Sequence, residues 1–95
     1  MAILVAGDLT VTRDIFIAID CSASTENILL AAHSLGLGAC WLGIYPDEDR
    51  MKGIKELLNL PESVLPISLI SIGYPDEGKP QINRFEQNRI HYNGW

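Results

Sequence analysis

DCSASTENILLAAHSLGLGACWLG, residues 20–43, combines a helix pattern and a strand pattern in one short segment. In its first half, apolar residues recur at the i, i+3, i+4 and i+7 spacing of an amphipathic helix. This stripe consists of Ile28, Ala31, Ala32 and Leu35. Gly36 follows at the position where a residue with positive φ commonly ends a helix. Residues 39–44 are then a short apolar run typical of a buried strand. We therefore predict a central helix followed at once by a strand.

The start of this helix is open on sequence grounds. Asp20 and Ser22 are both candidate N-caps, because their side-chain oxygens can accept hydrogen bonds from free backbone N–H groups. Residues 15–19, IFIAI, fit either a strand or the first turn of the helix. Further upstream, residues 2–6 are an aliphatic run closed by glycine and aspartate, which predicts a strand buried on both faces with neighbours on both sides.

Downstream of the segment, Pro46 ends the second strand and an acidic cluster begins a second helix. Negative charge at a helix start complements the helix dipole. We predict that this helix reaches Leu58, with Asn59 as its C-cap and Pro61 preventing continuation. Its acidic start is formed by Asp47, Glu48 and Asp49, and its predicted inward stripe by Met51, Ile54, Leu57 and Leu58.

The last third of the chain contains one more strand and a tail. Residues 64–72, VLPISLISI, predict a third strand, with Pro66 at its start or on an edge because proline has no N–H to donate. Residues 75–95 have few aliphatic side chains and no clean period, so we predict an extended tail. Residues 1–95 are thus expected to form one domain, in the order strand, helix, strand, helix, strand, tail.

Composition and charge restrict the class of protein. The 95 residues are 47% hydrophobic and 20% charged, which argues against disorder. The net charge of −5 argues against general nucleic-acid binding and against docking on anionic membranes. We also expect neither a membrane-spanning segment nor a signal peptide. Two cysteines without a CxxC pair indicate a reduced, cytoplasmic chain, and their spacing to the two histidines matches no common zinc site.

The glycine cluster around Gly36 and Gly38 does not predict a dinucleotide-binding loop. That fingerprint needs a strand before the glycines and a helix after them, and the order here is the reverse. Gly43, at the end of the second predicted strand, is different. A glycine there fits either a strand-end turn or a backbone that a ligand must approach closely.

Four motifs in order resemble the FMN-dependent nitroreductase family. Residues 20–43 resemble that family's central helix and following strand, and the other motifs resemble its second helix end, strand exit and C-terminal tail. These are Glu56 to Pro61, Ile72 to Pro75, and Arg84-Phe85 with Arg89 to Trp95. The resemblance implies an α+β fold, a nitroreductase-like α/β sandwich. This chain would supply its C-terminal portion, namely the central helix, three short strands and the extended tail.

The resemblance also implies a function. Members of this family are intertwined homodimers with FMN in the dimer interface. They pass hydride from NAD(P)H through the flavin to a nitro compound, a quinone or a similar acceptor. The flavin carries the chemistry, so no catalytic side chain and no metal is expected. The sequence does not distinguish NADH from NADPH, and it does not name the acceptor.

Four residues carry over to cofactor binding by this resemblance. Leu42, Gly43 and Ile44 fall on the segment whose backbone runs beside the flavin ring, where a backbone N–H can donate to flavin N5. Arg84 falls where the family places a tail arginine on the FMN phosphate, a role that suits the charged, bidentate guanidinium. Lys79 is a weaker candidate for the same role. Taken alone, without the resemblance, Arg84 fits a solvated surface charge better than a phosphate ligand.

The family's N-terminal half, with its arginine-rich phosphate motif, has no counterpart in these residues. We therefore expect the chain to be completed by dimerisation or by another polypeptide. Two alternatives to the enzyme remain. One is a non-catalytic remnant or assembly module that pairs through its exposed surface. The other is a flavin-binding protein without turnover.

Overall fold

A computed structural model describes all 95 residues as a three-stranded antiparallel sheet with two helices and a long tail. The elements follow the predicted order. They are β1 (Ala2–Asp8), α1 (Asp14–Ser34), β2 (Gly38–Gly43), α2 (Glu48–Leu58) and β3 (Val64–Gly73), with a 3-10 turn at Gln87–Arg89 in the tail. The strands lie in the order β1-β3-β2, so the last strand of the chain is the central one. The predicted α+β class is confirmed.

Strand β3 forms the core of the sheet. Its Ile70 pairs with Ile3 of β1 on one side and with Trp41 of β2 on the other, and it is completely buried. Pro66 lies near the start of β3 and pairs with Ala6, next to a register shift in which the single step from Val5 to Ala6 corresponds to two residues of β3. A residue without an N–H is tolerated where the ladder is interrupted, so Pro66 follows its prediction in part.

Strand β1 differs from its prediction. It pairs only with β3, and its middle residues are half-buried rather than buried. An aliphatic run is typical of a strand that is buried on both faces. Whether the strand is in fact buried depends on which other elements of the chain pack against it. Within this chain, β1 is an edge strand.

Helix α1 begins at Asp14, six residues before the first predicted N-cap. Residues 15–19 are therefore helical, and Ser22 lies inside the helix. The Ser22 hydroxyl donates to the Ala18 carbonyl oxygen at 2.6 Å instead of capping an end. The predicted end is confirmed, since Gly36 has a φ of +73° and its N–H donates to the His33 carbonyl oxygen at 3.0 Å.

The buried face of α1 is rotated from the predicted stripe. Ile17, Thr25 and Ala32 are buried against the sheet, whereas Leu35 is 75% exposed. Apolar residues surround most of this helix, so periodicity alone does not select the face that meets the sheet. The opposite side, which we call the outer face of α1, is apolar and exposed. It consists of Ile15, Phe16, Ile19 and Leu30.

Helix α2 is capped at both ends, and its C-cap Asn59 is the predicted one. The Asp47 side chain accepts from the backbone N–H of Arg50, and Asn59 adopts the left-handed conformation with a φ of 50°. Met51 is half-buried, but Leu57 is 74% exposed, which corrects that part of the inward stripe. The reason is that α2 contacts only β3, so the end of its apolar stripe has nothing to cover it.

The molecule as a whole is open. Only eight of 95 residues are buried. The radius of gyration is 16.5 Å, against about 12 Å for a compact chain of this length. The 3-10 turn of the tail contacts no other element.

By length and composition, helix α1 could cross a membrane, and core helices of soluble proteins also meet this criterion. In this chain, three residues of α1, namely Ile17, Thr25 and Ala32, are buried against the sheet.

Candidate functional site

The end of β2 presents a backbone N–H on a free sheet edge. The Ile44 N–H donates to the Ile67 carbonyl oxygen at 3.2 Å. Residues 44 and 67 are therefore a hydrogen-bonded pair, and the preceding pair, Gly43 with Ser68, is a non-hydrogen-bonded one. In such a pair the N–H and C=O point away from the partner strand. The N–H of Gly43 consequently faces the open edge of β2.

The space above Gly43 is also open. A Cβ atom placed at this residue would have no neighbour within 4 Å. A ligand could therefore approach Gly43 from the side on which a Cβ would lie, while the Arg50 guanidinium is at the Gly43 carbonyl oxygen on the sheet edge. The donor and the clearance together fit the edge of a flavin ring, whose nitrogen N5 accepts a hydrogen bond.

The residues beside Gly43 have different surroundings. Leu42 is 44% exposed, so its side chain is available to a ligand. Ile44 is only 6% exposed, and both its N–H and the Tyr45 N–H donate to the Ile67 carbonyl oxygen. Ile44 therefore anchors the strand end to β3, and its side chain belongs to the core.

Arg50 was not among the residues that the sequence motifs indicated. Its Nη1 donates to the Gly43 carbonyl oxygen at 2.9 Å, and its Nε lies 3.3 Å from Asp47 Oδ2. The Asp47 N–H donates back to the Ile44 carbonyl oxygen at 3.0 Å. The only sequence signal for this arrangement is an arginine three residues after an aspartate N-cap, which by itself reads as an exposed ion pair.

Arg84 lies in the extended tail and is exposed, without a hydrogen bond or an ion pair. Lys79, the weaker candidate, pairs with Glu77 at 2.9 Å. No hydrogen bond or groove joins either residue to Gly43. The structure thus brings Leu42, Gly43 and Ile44 together at the strand end and leaves the phosphate candidates apart from them.

The grooves of the chain lie elsewhere. The largest, of about 950 Å³, is formed by the C-terminal end of α1, the start of β2 and residues of the early tail, and it includes His33 and Lys79. None of the four larger grooves is lined by Gly43 or Arg84. Cofactor sites normally enclose most of their ligand. A cofactor at Gly43 would therefore need further surface beyond these 95 residues.

Two titratable groups have shifted pKa values, and neither belongs to the candidate site. The pKa of Asp8 is lowered by hydrogen bonds from the hydroxyl and the N–H of Thr10. The pKa of Cys21 is raised, first by burial and second by the neighbouring Asp20 carboxylate. What the strand end can offer is a positioned backbone donor, a polarising arginine nearby and an open face.

Comparison with known proteins gives consistent matches. The model of the Nitroreductase family matches residues 5–74. A protein of Methanothermobacter thermautotrophicus named "Putative NADH dehydrogenase/NAD(P)H nitroreductase" is 54% identical over 76 residues, which are 80% of this chain and 40% of that protein. The residues that the family model matches include α1, β2, α2 and β3.

Solved structures resemble this chain over nearly its whole length. A crystal structure of a protein with the same kind of name, from Parabacteroides distasonis, has a TM-score of 0.92 and 40% identity, covering 99% of this chain and 55% of that one. An FMN-dependent nitroreductase from Clostridium difficile has a TM-score of 0.88 and 33% identity, covering 99% and 57%. The chain therefore spans about half the length of the proteins it matches.

Proposed function

This chain belongs to the nitroreductase family, and on that premise we propose that it forms part of the flavin site of an FMN-dependent NAD(P)H oxidoreductase. The resemblance noted in the sequence motifs and the nitroreductase-like fold are thereby confirmed. The proposed acceptor is a nitro compound or a quinone. The observation that carries the proposal is the N–H of Gly43, which faces a free sheet edge with open space above it. When bound, FMN would supply the hydride transfer.

The chain's own residues would then bind and orient the cofactor. The Gly43 N–H would donate to flavin N5, and Leu42 would lie beside the ring. Ile44, hydrogen-bonded to Ile67, would hold the strand end in place. Arg84, which has no hydrogen bond or ion pair in the chain, would bind the FMN phosphate.

The proposal includes a homodimer or a complementary chain, in a reduced, cytoplasmic setting. Support comes from the small core, the exposed outer face of α1 and the exposed tail, whose 3-10 turn contacts no other element. Exposed apolar area of this extent usually marks an interface. Both cysteines are free, as a reducing compartment requires.

The same open surface favours a second candidate, a non-catalytic assembly module. In that case the apolar faces would pair with another chain without any flavin. Flavin binding discriminates between the two, because an assembly module has no use for the donor at Gly43 or for the free arginine in the tail.

A fluorescence titration of the 95-residue chain with FMN tests the proposed function. We expect saturable quenching, and we expect Arg84→Ala to weaken FMN binding about tenfold, as the loss of a charge-assisted contact to phosphate predicts. Arg89→Ala is the matched control, since Arg89 lies in the same tail but pairs with Glu86. Riboflavin, which lacks the phosphate, should bind Arg84→Ala and wild type equally.

Addition of NADH without oxygen to the flavin-loaded chain separates an enzyme from a flavin carrier. Loss of the flavin absorbance supports an oxidoreductase, and a stable oxidised flavin indicates a carrier without turnover. Absence of saturable FMN binding would contradict a flavin site formed by this chain alone and would favour a complementary chain or the assembly module.

A further inference from the structure

We propose that Arg50 is a positioning residue that holds the Gly43 backbone in the orientation needed for its contact with a flavin. The inference rests on the proposed function, because it assigns a role at the same strand end. The proposal gives Arg50 no direct contact with the cofactor. Arg50 acts through the carbonyl group of Gly43, to which its Nη1 donates at 2.9 Å.

Three contacts fix the position of Arg50, one with Gly43 and two with Asp47. Its guanidinium binds the Gly43 carbonyl oxygen through Nη1 and lies 3.3 Å from Asp47 Oδ2 through Nε. Its backbone N–H donates to Asp47 Oδ1 at 3.1 Å. Asp47 in turn donates its own N–H to the Ile44 carbonyl oxygen. The first turn of α2 and the end of β2 are thus joined in a closed ring of hydrogen bonds around residues 43–50.

The Gly43 backbone needs a hydrogen bond from Arg50 because β3 does not provide one. In the sheet, β3 holds the neighbouring Ile44 N–H, whereas the polar groups of Gly43 point away from β3 toward the free edge. Glycine has no Cβ to restrict its own dihedral angles. A hydrogen bond to the Gly43 carbonyl oxygen limits rotation about the backbone bonds on either side of its Cα. It therefore also limits the directions in which the Gly43 N–H can point.

Stability alone explains this contact poorly. The Arg50 side chain is 63% exposed, and the Asp47 side chain is 47% exposed. Exposed ion pairs of this kind contribute little to folding. A guanidinium, in contrast, is always charged and presents donors in a fixed fork, so it can hold Asp47 and Gly43 at the same time. Lysine has a single ammonium on a flexible stem and cannot reproduce the fork.

The test compares Arg50→Met and Arg50→Lys with wild type in the full chain. Lys52→Met is the matched control, because it removes one positive charge from α2 at a lysine whose only partner is Glu56 at 4.0 Å. Two quantities are measured. The first is the ratio of the dissociation constants of oxidised and reduced FMN, and the second is the amide resonance of Gly43 in ¹H–¹⁵N spectra with and without FMN.

We expect Arg50→Met to reduce the preference for reduced FMN about tenfold, the effect of weakening one hydrogen bond. For a two-electron couple, tenfold corresponds to about 30 mV in midpoint potential. The Gly43 resonance should shift and broaden in Arg50→Met. Arg50→Lys should behave like Arg50→Met, while Lys52→Met should behave like wild type.

The possible failures are distinguishable. If wild type binds FMN but Arg50→Met keeps the same preference within twofold, the positioning role is overturned and the proposed function stands. If Lys52→Met changes the preference as much as Arg50→Met does, the effect is one of net charge and the positioning role is again overturned. If wild type binds no FMN, a flavin site formed by this chain alone fails and this inference fails with it.

Discussion

Thr25 and Ser68 form a buried hydroxyl pair between α1 and the central strand. Both side chains are fully buried, and their oxygens lie 2.7 Å apart. The single Thr25 proton donates to the Cys21 carbonyl oxygen at 2.7 Å. The Ser68 hydroxyl must therefore be the donor to Thr25 Oγ1. This pair locates α1 on the sheet, because each partner satisfies a polar group that the core would otherwise leave unpaired.

Thr25→Val should destabilise the chain by about 1–3 kcal/mol, because it leaves the Ser68 hydroxyl buried without an acceptor. The measurement is the free energy of unfolding in urea at fixed protein concentration. The double variant Thr25→Val/Ser68→Ala should recover most of the loss, since neither polar group is then present. A double variant less stable than Thr25→Val alone would show that the pair is not the source of the effect.

Cys21 and Cys40 should differ in reactivity toward iodoacetamide at pH 8. The reactive species is the thiolate. Burial, reinforced by the Asp20 carboxylate, raises the pKa of Cys21 and so lowers its thiolate fraction, whereas Cys40 is exposed. We expect Cys40 to be alkylated first in the folded chain, and the two to react at similar rates in 8 M urea. Mass spectrometry of the two cysteine-containing peptides measures the alkylation rates. Equal rates in the folded chain would contradict the partial burial of Cys21.

At the scale of elements, α1 lies unusually close to β1. A Cβ atom at Gly7 would be 2.2 Å from Ile17 Cγ2, which is far inside van der Waals contact. Ile17 is itself 2% exposed and belongs to the buried face of α1. Gly7 is thus the point at which helix and strand approach, and any side chain there must push them apart.

Gly7→Ala should therefore destabilise the chain by about 1–3 kcal/mol through overpacking. Thermal and urea unfolding both report this change. Gly53→Ala is the matched control, because Gly53 lies in α2 with nothing within 4 Å of the added methyl group. It should stabilise the chain by about 0.5–1 kcal/mol through helix propensity. If both substitutions destabilised the chain equally, the contact with Ile17 would not be the cause.

At the scale of the whole molecule, many large hydrophobic side chains are exposed, whereas only five hydrophobic residues are buried. The outer face of α1 includes Phe16 at 55%, Ile19 at 61% and Leu30 at 58% exposure. The tail carries a stacked His91–Trp95 pair, with ring centroids 4.4 Å apart, and Trp95 is fully exposed. Such a surface favours association with another chain.

We expect the chain to self-associate at micromolar concentration in sedimentation experiments. Ile19→Glu/Leu30→Glu should weaken this association at least tenfold, because two buried charges would oppose contact across the outer face. Val11→Glu is the control, since Val11 is 81% exposed in the loop before α1 and lies outside that face. A folded monomer at these concentrations, or an equal effect of Val11→Glu, would remove the outer face as the interface.

The sequence by itself determined the order of the elements, the C-terminal ends of both helices, the start of α2 and the family. Gly36, Asp47 and Asn59 end or begin helices through local backbone geometry and capping, which depend on neighbours within a few residues. The motifs of residues 20–43 and of the segments that follow were sufficient for the family resemblance, which the comparisons confirm. The cofactor-binding roles of Leu42, Gly43, Ile44 and Arg84 stay predictions.

Only the tertiary structure decided which strand is central, which face of α1 meets the sheet, and what holds Gly43. The apolar run of β1 suits a buried strand, but β3 lies between β1 and β2 and takes the central place. Helix α1 is apolar on opposite sides, and the Thr25–Ser68 contact selects one of them. The contact of Arg50 with Gly43 spans seven residues and a turn. These features depend on pairing between segments distant in sequence, for which local propensity and periodicity carry no information.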